Sequence, residues 1–245
     1  MSKPNLTVAV LTKNSAATIE AALKSVVFAQ QILVIDDQST DDTVTICRQF
    51  TNHVLQSNQP NFAAKRNELL KHLKTDWICY LDSDEIISPE LAEDIQQITI
   101  NNHPAAYRIK RVNFFLGTKM YPDYVDRLFH KSVIQGWSGD VHESPILTTS
   151  PQLLEQPIIH HTHTDITSML GKTNHWSEFE AELRIKANHP PIAWWRLIRI
   201  AITEWWHQFI HIKVGRFGRS GLFEGYFQIV DKLIVYTKVW EKQRQ

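Results

Sequence analysis

The 245 residues predict an α/β chain built on a mostly parallel sheet flanked by helices, and three observations carry that expectation. Four short apolar runs alternate with helix-period segments over the first hundred residues, the pattern of β-α-β crossovers. Three of the runs stop at polar clusters, Thr12/Asn14, Asp36/Asp37 and Asp82/Asp84, and parallel sheets bind ligands beyond the carboxyl ends of their strands. Neither G-x-G-x-x-G nor a Walker lysine motif follows the first strand, so phosphates would be met by side chains and a metal.

Leu6 to Leu11 is the first strand, ended by Thr12-Lys13-Asn14-Ser15. A helix follows through Ile19, Ala22, Leu23 and Val26, with Ser15 or Thr18 as cap. Ile32-Leu33-Val34-Ile35 is the second strand, and Ser39-Thr40-Asp41-Asp42 offers caps for a helix carrying Val44, Ile46, Cys47 and Phe50. Val54-Leu55 is a weak third strand. Phe62, Leu69, Leu70 and Leu73 mark a third helix, with Lys65, Arg66 and Asn67 near its start. The two cations are candidates for a phosphate, against the plainer reading of a solvated helix face.

Trp77 to Leu81 is the fourth strand, and it runs into Asp82-Ser83-Asp84-Glu85. Three acids in four positions repel one another unless a cation compensates. Such oxygen ligands suit Mg²⁺ or Mn²⁺, which bind through one or two carboxylates plus a substrate's phosphates. The bland alternative is a solvated turn, with Ser88-Pro89-Glu90 opening the next helix.

Residues 105–163 read as short strands with polar turns that complete the sheet. Gly136 to Pro145 is a glycine-punctuated, acidic loop at the crevice; its Trp137 is either packing or a sugar-stacking face. In His160-His161-Thr162-His163, a strand puts His161 and His163 on one face and His160 on the other, and neither cysteine is close enough in sequence to complete a zinc set.

The formal charge is zero but uneven: residues 184–245 hold 11 Lys/Arg against 4 Asp/Glu, a balance of +7, and the remainder is −7. A basic tail of this kind suits an anionic surface. Residues 166–188 look helical. Beyond Pro190-Pro191, Trp194/Trp195, Ile198, Ile202 and Trp205/Trp206 recur at helical spacing opposite Arg196 and Arg199; Lys213, Arg216 and Arg219 precede a last helix through Val239 and Trp240. No apolar run is long enough to span a bilayer, so the alternatives are an interfacial helix pair or a hairpin packed on the rest of the chain. Cys47 and Cys79 read as reduced core residues, which fits a cytoplasmic protein, and Met1-Ser2-Lys3-Pro4 shows no signal peptide.

Leu11-Thr12-Lys13-Asn14, Val34 to Asp41, Ala64-Lys65-Arg66-Asn67 and Leu81 to Glu85 resemble family 2 glycosyltransferases of the GT-A fold. Asn113 to Gly117, Tyr121-Pro122-Asp123-Tyr124, Arg127-Leu128-Phe129, Val141-His142-Glu143, His160 and Tyr236 to Glu241 are similar to the bacterial lipopolysaccharide inner-core β-1,4-glucosyltransferase group. Ser15 departs from that group, which usually has an acid there, and Asp37 stands where it often has a small residue.

The resemblance implies a catalytic domain over 1–164, with a nucleotide-sugar half (1–100) and an acceptor half (101–164), and a membrane-associating helical tail over 165–245. It implies inverting transfer of a hexose, glucose from UDP-glucose, to a lipid-linked glycan such as inner-core heptose on the inner face of the cytoplasmic membrane, with no nucleic-acid partner; the alternatives are another UDP-hexose or glycan acceptor, or a catalytically silent glycan-binding protein of the same fold. Thr12, Asn14, Asp36 or Asp37, Lys65, Arg66, Asn67, Asp82 and Ser83 would hold the donor. Asp82, Asp84 and His160 would hold Mg²⁺ or Mn²⁺. Glu143 is the expected general base, with Asp140, Asp123 and Asp126 behind it.

Overall fold

The computed structural model describes residues 3–59, 61–139, 143–163 and 165–244. The expected alternation is there: β1 (Leu6–Thr12), α1 (Ile19–Lys24), β2 (Gln31–Asp36), α2 (Thr43–Cys47), β3 (Val54–Gln56), α3 (Phe62–Lys71) and β4 (Trp77–Asp82). β1 is buried at every residue, which is why it reads as an unbroken apolar run: a parallel strand with both faces covered has no solvent side. Its side chains still alternate. Leu6, Val8 and Val10 enter one core cluster with Trp77, Cys79 and Leu81 of β4, while Ala9 and Leu11 enter a second with Ile78 and Tyr80.

After β4 come β5 (Glu85–Ile87), α4 (Pro89–Asn101), β6 (Ala106–Phe115), β7 (Thr118–His130), β8 (Ile134–Ser138), β9 (Ser144–Leu147) and β10 (Gln152–His163). Eight strands form one sheet in the order β3-β2-β1-β4-β7-β6-β10-β5; β8 and β9 pair separately. The first four neighbours are parallel, whereas β4–β7 and β10–β5 are antiparallel. Ser88 caps α4 by accepting the Leu91 amide at 3.2 Å, and Asn102 ends it with φ 50°.

Two expectations change here. The strands of the 105–163 region are long, at 10, 13 and 12 residues for β6, β7 and β10. Their charges pair with one another, Arg108 with Asp126 and Lys110 with Glu155, so polar residues that looked like turn signals lie within strands. The segment after β4 is more than a turn, because Glu85–Ile87 pairs with Ile158–His160 as a three-residue strand.

The chain divides into two compact units. The first comprises residues up to Val112 together with Pro122–His160; the second comprises Asn113–Tyr121 and the residues from His161 onward. The second unit holds the tip of the β6–β7 hairpin, where Leu116 (φ 47°) and Gly117 (φ 74°) supply the two positive φ angles of a two-residue turn. It also holds α5 (Ile166–Lys186), α6 (Trp194–Trp206) and α7 (Gly218–Lys242), with a π turn over His207–Ile212 and a 3-10 turn over Val214–Phe217 before α7. That last crossing is close. A Cβ on Gly221 would stand 2.1 Å from the Val214 carbonyl oxygen, and one on Gly225 would stand 2.7 Å from Val214 Cγ2.

Candidate active site

Strand register brings the polar clusters together. Thr12 lies opposite Asp36, and Leu11 opposite Asp82, so the carboxyl ends of β2 and β4 flank that of β1. Among the side chains at this edge, some are spent on the fold. Asp36 is fully buried and accepts from the Ser39 amide at 2.9 Å, the Ser39 hydroxyl and Gln56 Nε2 at 3.0 Å. Asn14 (φ 47°) accepts the Thr40 amide at 2.8 Å and donates its own amide to Ser39 Oγ at 2.8 Å. These two, both expected on the nucleotide, here staple the loops that follow β1 and β2. Ser83 shares a 2.8 Å hydrogen bond with Ser15.

Asp37, the neighbour of Asp36, faces outward. Asp37 is 27% exposed and meets Lys65 at 2.8 Å and Lys13 at 3.2 Å. Burial pushes its carboxyl up, but hydrogen bonds and charge from the two ammonium groups override that and hold it below the ordinary value. The Thr12 hydroxyl is buried and has no hydrogen-bond partner among the described residues. Lys65 and Arg66 are buried rather than on a solvated helix face. Asn67 grips the Trp137 backbone from both sides, donating to its carbonyl at 2.9 Å and accepting its amide at 2.8 Å. Trp137 itself packs edge-on against Tyr80 and Phe129, so it is core rather than a sugar platform.

Asp82 opens a ladder of alternating charges. Its Oδ1 accepts from Arg66 Nη2 at 3.1 Å and its Oδ2 from Arg127 Nη2. Arg127 also donates to Glu85 Oε1 at 2.8 Å, and Arg111 reaches the same oxygen at 3.0 Å before closing on Asp123 at 2.9 and 2.6 Å. Glu85 Oε2 folds back to accept the Asp82 amide at 3.0 Å, shaping the acidic turn. At the other end Arg66 Nε donates to Glu143 Oε1 at 3.1 Å, while the guanidinium lies over the rings of Tyr80 and Trp137 at 5.3 and 4.8 Å. Burial pushes the Asp82 carboxyl up, yet Arg127 and Arg66 outweigh it and hold the group well below the carboxylate range. The same pairing drives Arg127 above its ordinary value.

Arg127, Arg111 and Glu85 had no role assigned from sequence. The signal existed: acids at a buried strand end demand cations, and Arg127-Leu128-Phe129 carries one into an apolar run. A metal alone had been asked to supply that charge. Two fallback bases are also accounted for, since Asp123 and Asp126 sit in two-point pairs with Arg111 and Arg108. Asp140 lies outside the described residues.

Of the three expected metal ligands, Asp82 has both oxygens on arginines, whereas Asp84 Oδ1 and His160 Nε2 stand 3.5 Å apart and partly exposed. No group of three or more His, Cys, Asp or Glu among the described residues forms a ready metal cage. A carboxylate beside an imidazole is a donor pair compatible with a Mg²⁺ or Mn²⁺ that shares its ligation with phosphates. His161 and His163 instead face the rings of Phe114 and Phe115, at 5.4 and 6.1 Å.

Comparison with known proteins agrees with this geometry. The model of Glycosyl transferase family 2 matches residues 7–169. A protein of Rickettsia bellii named uncharacterized glycosyltransferase is 26% identical over 243 residues, covering 92% of this chain and 80% of its own length. One of Rickettsia felis, named likewise, is 25% identical over 195 residues, covering 72% and 69%. Among solved structures, the mannosyltransferase PcManGT of Pyrobaculum calidifontis superposes with a TM-score of 0.58 at 12% identity, covering 99% of this chain and 89% of that one, which shows the shared GT-A fold. The chain therefore belongs to glycosyl transferase family 2 and is a glycosyltransferase.

Proposed function

We propose that the chain is an inverting, metal-dependent hexosyltransferase that moves glucose from UDP-glucose to an inner-core heptose of a lipid-linked glycan, at the inner surface of the cytoplasmic membrane. The observation that carries the donor half is the convergence of Thr12, Asp37, Lys65, Asp82 and Asp84 around the carboxyl ends of three adjacent parallel strands. PcManGT, which shares the fold, is a complex with GDP-Man and Mn²⁺, and this supports a nucleotide-sugar donor and a divalent cation here.

In this reading Asp37 and Thr12 take the nucleoside, and Lys65, within reach of Asp37, adds positive charge beside the diphosphate. Asp36 and Asn14 act through the loops they staple, and Asn67 and Ser83 through the backbone they fix. Asp84 and His160 would hold the cation, which would supply Lewis-acid stabilisation of the diphosphate leaving group. Arg66 holds Asp82 and Glu143 on one guanidinium, fixing the spacing between the donor acid and the base. Glu143 takes the proton of the attacking hydroxyl, with Arg66 holding the carboxylate through Oε1.

The test is release of UDP or GDP from a panel of UDP-glucose, UDP-galactose and GDP-mannose, with rough lipopolysaccharide as acceptor and Mg²⁺ or Mn²⁺ present. UDP-glucose should turn over fastest and only with acceptor. Faster turnover of another donor would move the sugar assignment, and turnover undiminished in excess chelator would remove the metal.

A further inference from the structure

Among the described residues, sixteen of the twenty-one exposed large apolar side chains lie beyond residue 165. In α6 none of the thirteen residues is buried, and Trp194, Ile202 and Trp206 are 74%, 62% and 60% exposed. At roughly 100° per residue, Trp194, Trp205, Ile198, Ile202, Trp195 and Trp206 fall within one arc of about 120°. The side of α6 that carries Leu197 packs inward, against Ile192 and Val239. On α7, Leu222, Trp240, Tyr226, Val230 and Phe223 are exposed and fall within an arc of about 100°.

The two stripes are continuous. Trp205 stacks on Phe209 at 5.7 Å, and Phe209 meets Tyr226 at 5.0 Å, so an aromatic run leads from one helix to the other. Cations sit on aromatic rings of this surface: Arg196 and Arg199 over Trp195 at 5.4 and 5.7 Å, and Arg244 over Trp240 at 4.7 Å. Two of the tail's carboxylates, Glu204 and Glu224, are hydrogen-bonded to Gln208 and Gln228. No described helix is long and apolar enough to cross a bilayer.

We propose that the joined outer stripes of α6 and α7 form a docking face for an anionic lipid bilayer, which lies in the interface with its aromatic residues at headgroup depth and its arginines on lipid phosphates. This deepens the membrane part of the proposed function and rests on it. Charge selects the occupant: a second copy on the same face would set Arg196, Arg199 and Arg244 against like charges, whereas an anionic bilayer complements them.

The experiment is co-sedimentation of the full chain with phosphatidylcholine vesicles, with and without phosphatidylglycerol. It uses the parent, the α6 variant Trp194→Gln/Ile202→Gln/Trp206→Gln and the α7 variant Phe223→Gln/Val230→Gln, with circular dichroism as a check on folding. The parent should prefer phosphatidylglycerol vesicles, release them as salt rises, and shift its tryptophan emission to the blue on binding. Each variant should bind about tenfold more weakly, because exposed positions lose apolar burial without losing the fold. Folded variants that bind like the parent would overturn the proposal. So would a parent that ignores vesicles and elutes as a dimer which the α6 changes dissolve; the occupant would then be a second copy. Binding of UDP-glucose in lipid-free solution, followed by titration with Mn²⁺ present, is scored separately: its failure beside intact vesicle binding would sink the donor reading and leave the docking face standing.

Discussion

Arg127→Gln isolates what the charge ladder contributes. The side chain is 6% exposed and bridges two carboxylates, Asp82 and Glu85, of which Glu85 is fully buried. Removing one partner of a buried pair typically costs about 3–5 kcal/mol, because the other charge stays buried. Two features favour the lower end: Asp82 is a third exposed, and Arg111 still reaches Glu85 at 3.0 Å. We expect a loss of about 3 kcal/mol in urea unfolding at pH 7, a large share of the roughly 5–15 kcal/mol a domain has.

The loss should also depend on pH. Asp82 is depressed in the folded state, so its contribution is fully present above the unfolded value of about 3.9 and is lost as pH falls below it. Arg127 is the foremost group lowering that value, so the variant should have less of this contribution to lose. The gap between parent and variant is therefore widest near neutrality and narrows below about pH 4. Arg127→Met with Glu85→Gln removes both charges and should be less destabilised than Arg127→Gln alone. A loss under about 1 kcal/mol, or one flat between pH 3 and 7, would refute the account of the ladder as a coupled buried network.

Asp84→Ala should abolish transfer and the response to added Mn²⁺ while leaving thermal unfolding near the parent's, since the side chain is partly exposed; activity rates with a melting curve check this. Glu143→Gln should lower turnover by about 10²–10⁴-fold with UDP-glucose affinity nearly unchanged, measured by single-turnover rates beside a binding titration. Asp126→Asn, which breaks the two-point pair with Arg108, should stay within a few-fold of the parent in the same assay. Gly221→Ala should destabilise α7, because the helix gain of about 1 kcal/mol is smaller than the cost of a methyl set 2.1 Å from a backbone oxygen; calorimetry reads the sign.

The parallel half of the sheet was legible because burial on both faces leaves strands as bare apolar runs, and β1, β2 and β4 are such runs. The opposed faces of His160 and its neighbours followed from strand period alone, and His160 does approach Asp84 while His161 and His163 face rings. The long strands β6 and β7 were hidden by their own charges, since Arg108 and Arg111 look like surface residues until their cross-strand partners Asp126 and Asp123 are known. At the site, residue type could not separate an acid offered to a ligand from one consumed by its loop. Asp36 and Asp37 are neighbours in sequence, yet one is sealed by Ser39 and Gln56 and the other faces out between two lysines.

Cys47 and Cys79 belong to one layer of the core but give it two separate chemical clocks. Both thiols are buried, and burial pushes them up to about 11 and about 12, so the reactive thiolate is scarce while the fold is closed. Cys79 sits in the middle of β4, between β1 and β7, and is reached only when the sheet itself opens. Cys47 ends the short helix α2, and fraying of that helix suffices to uncover it. The rates at which a thiol reagent modifies each residue therefore report local opening beside the donor loops and global opening of the sheet in one measurement.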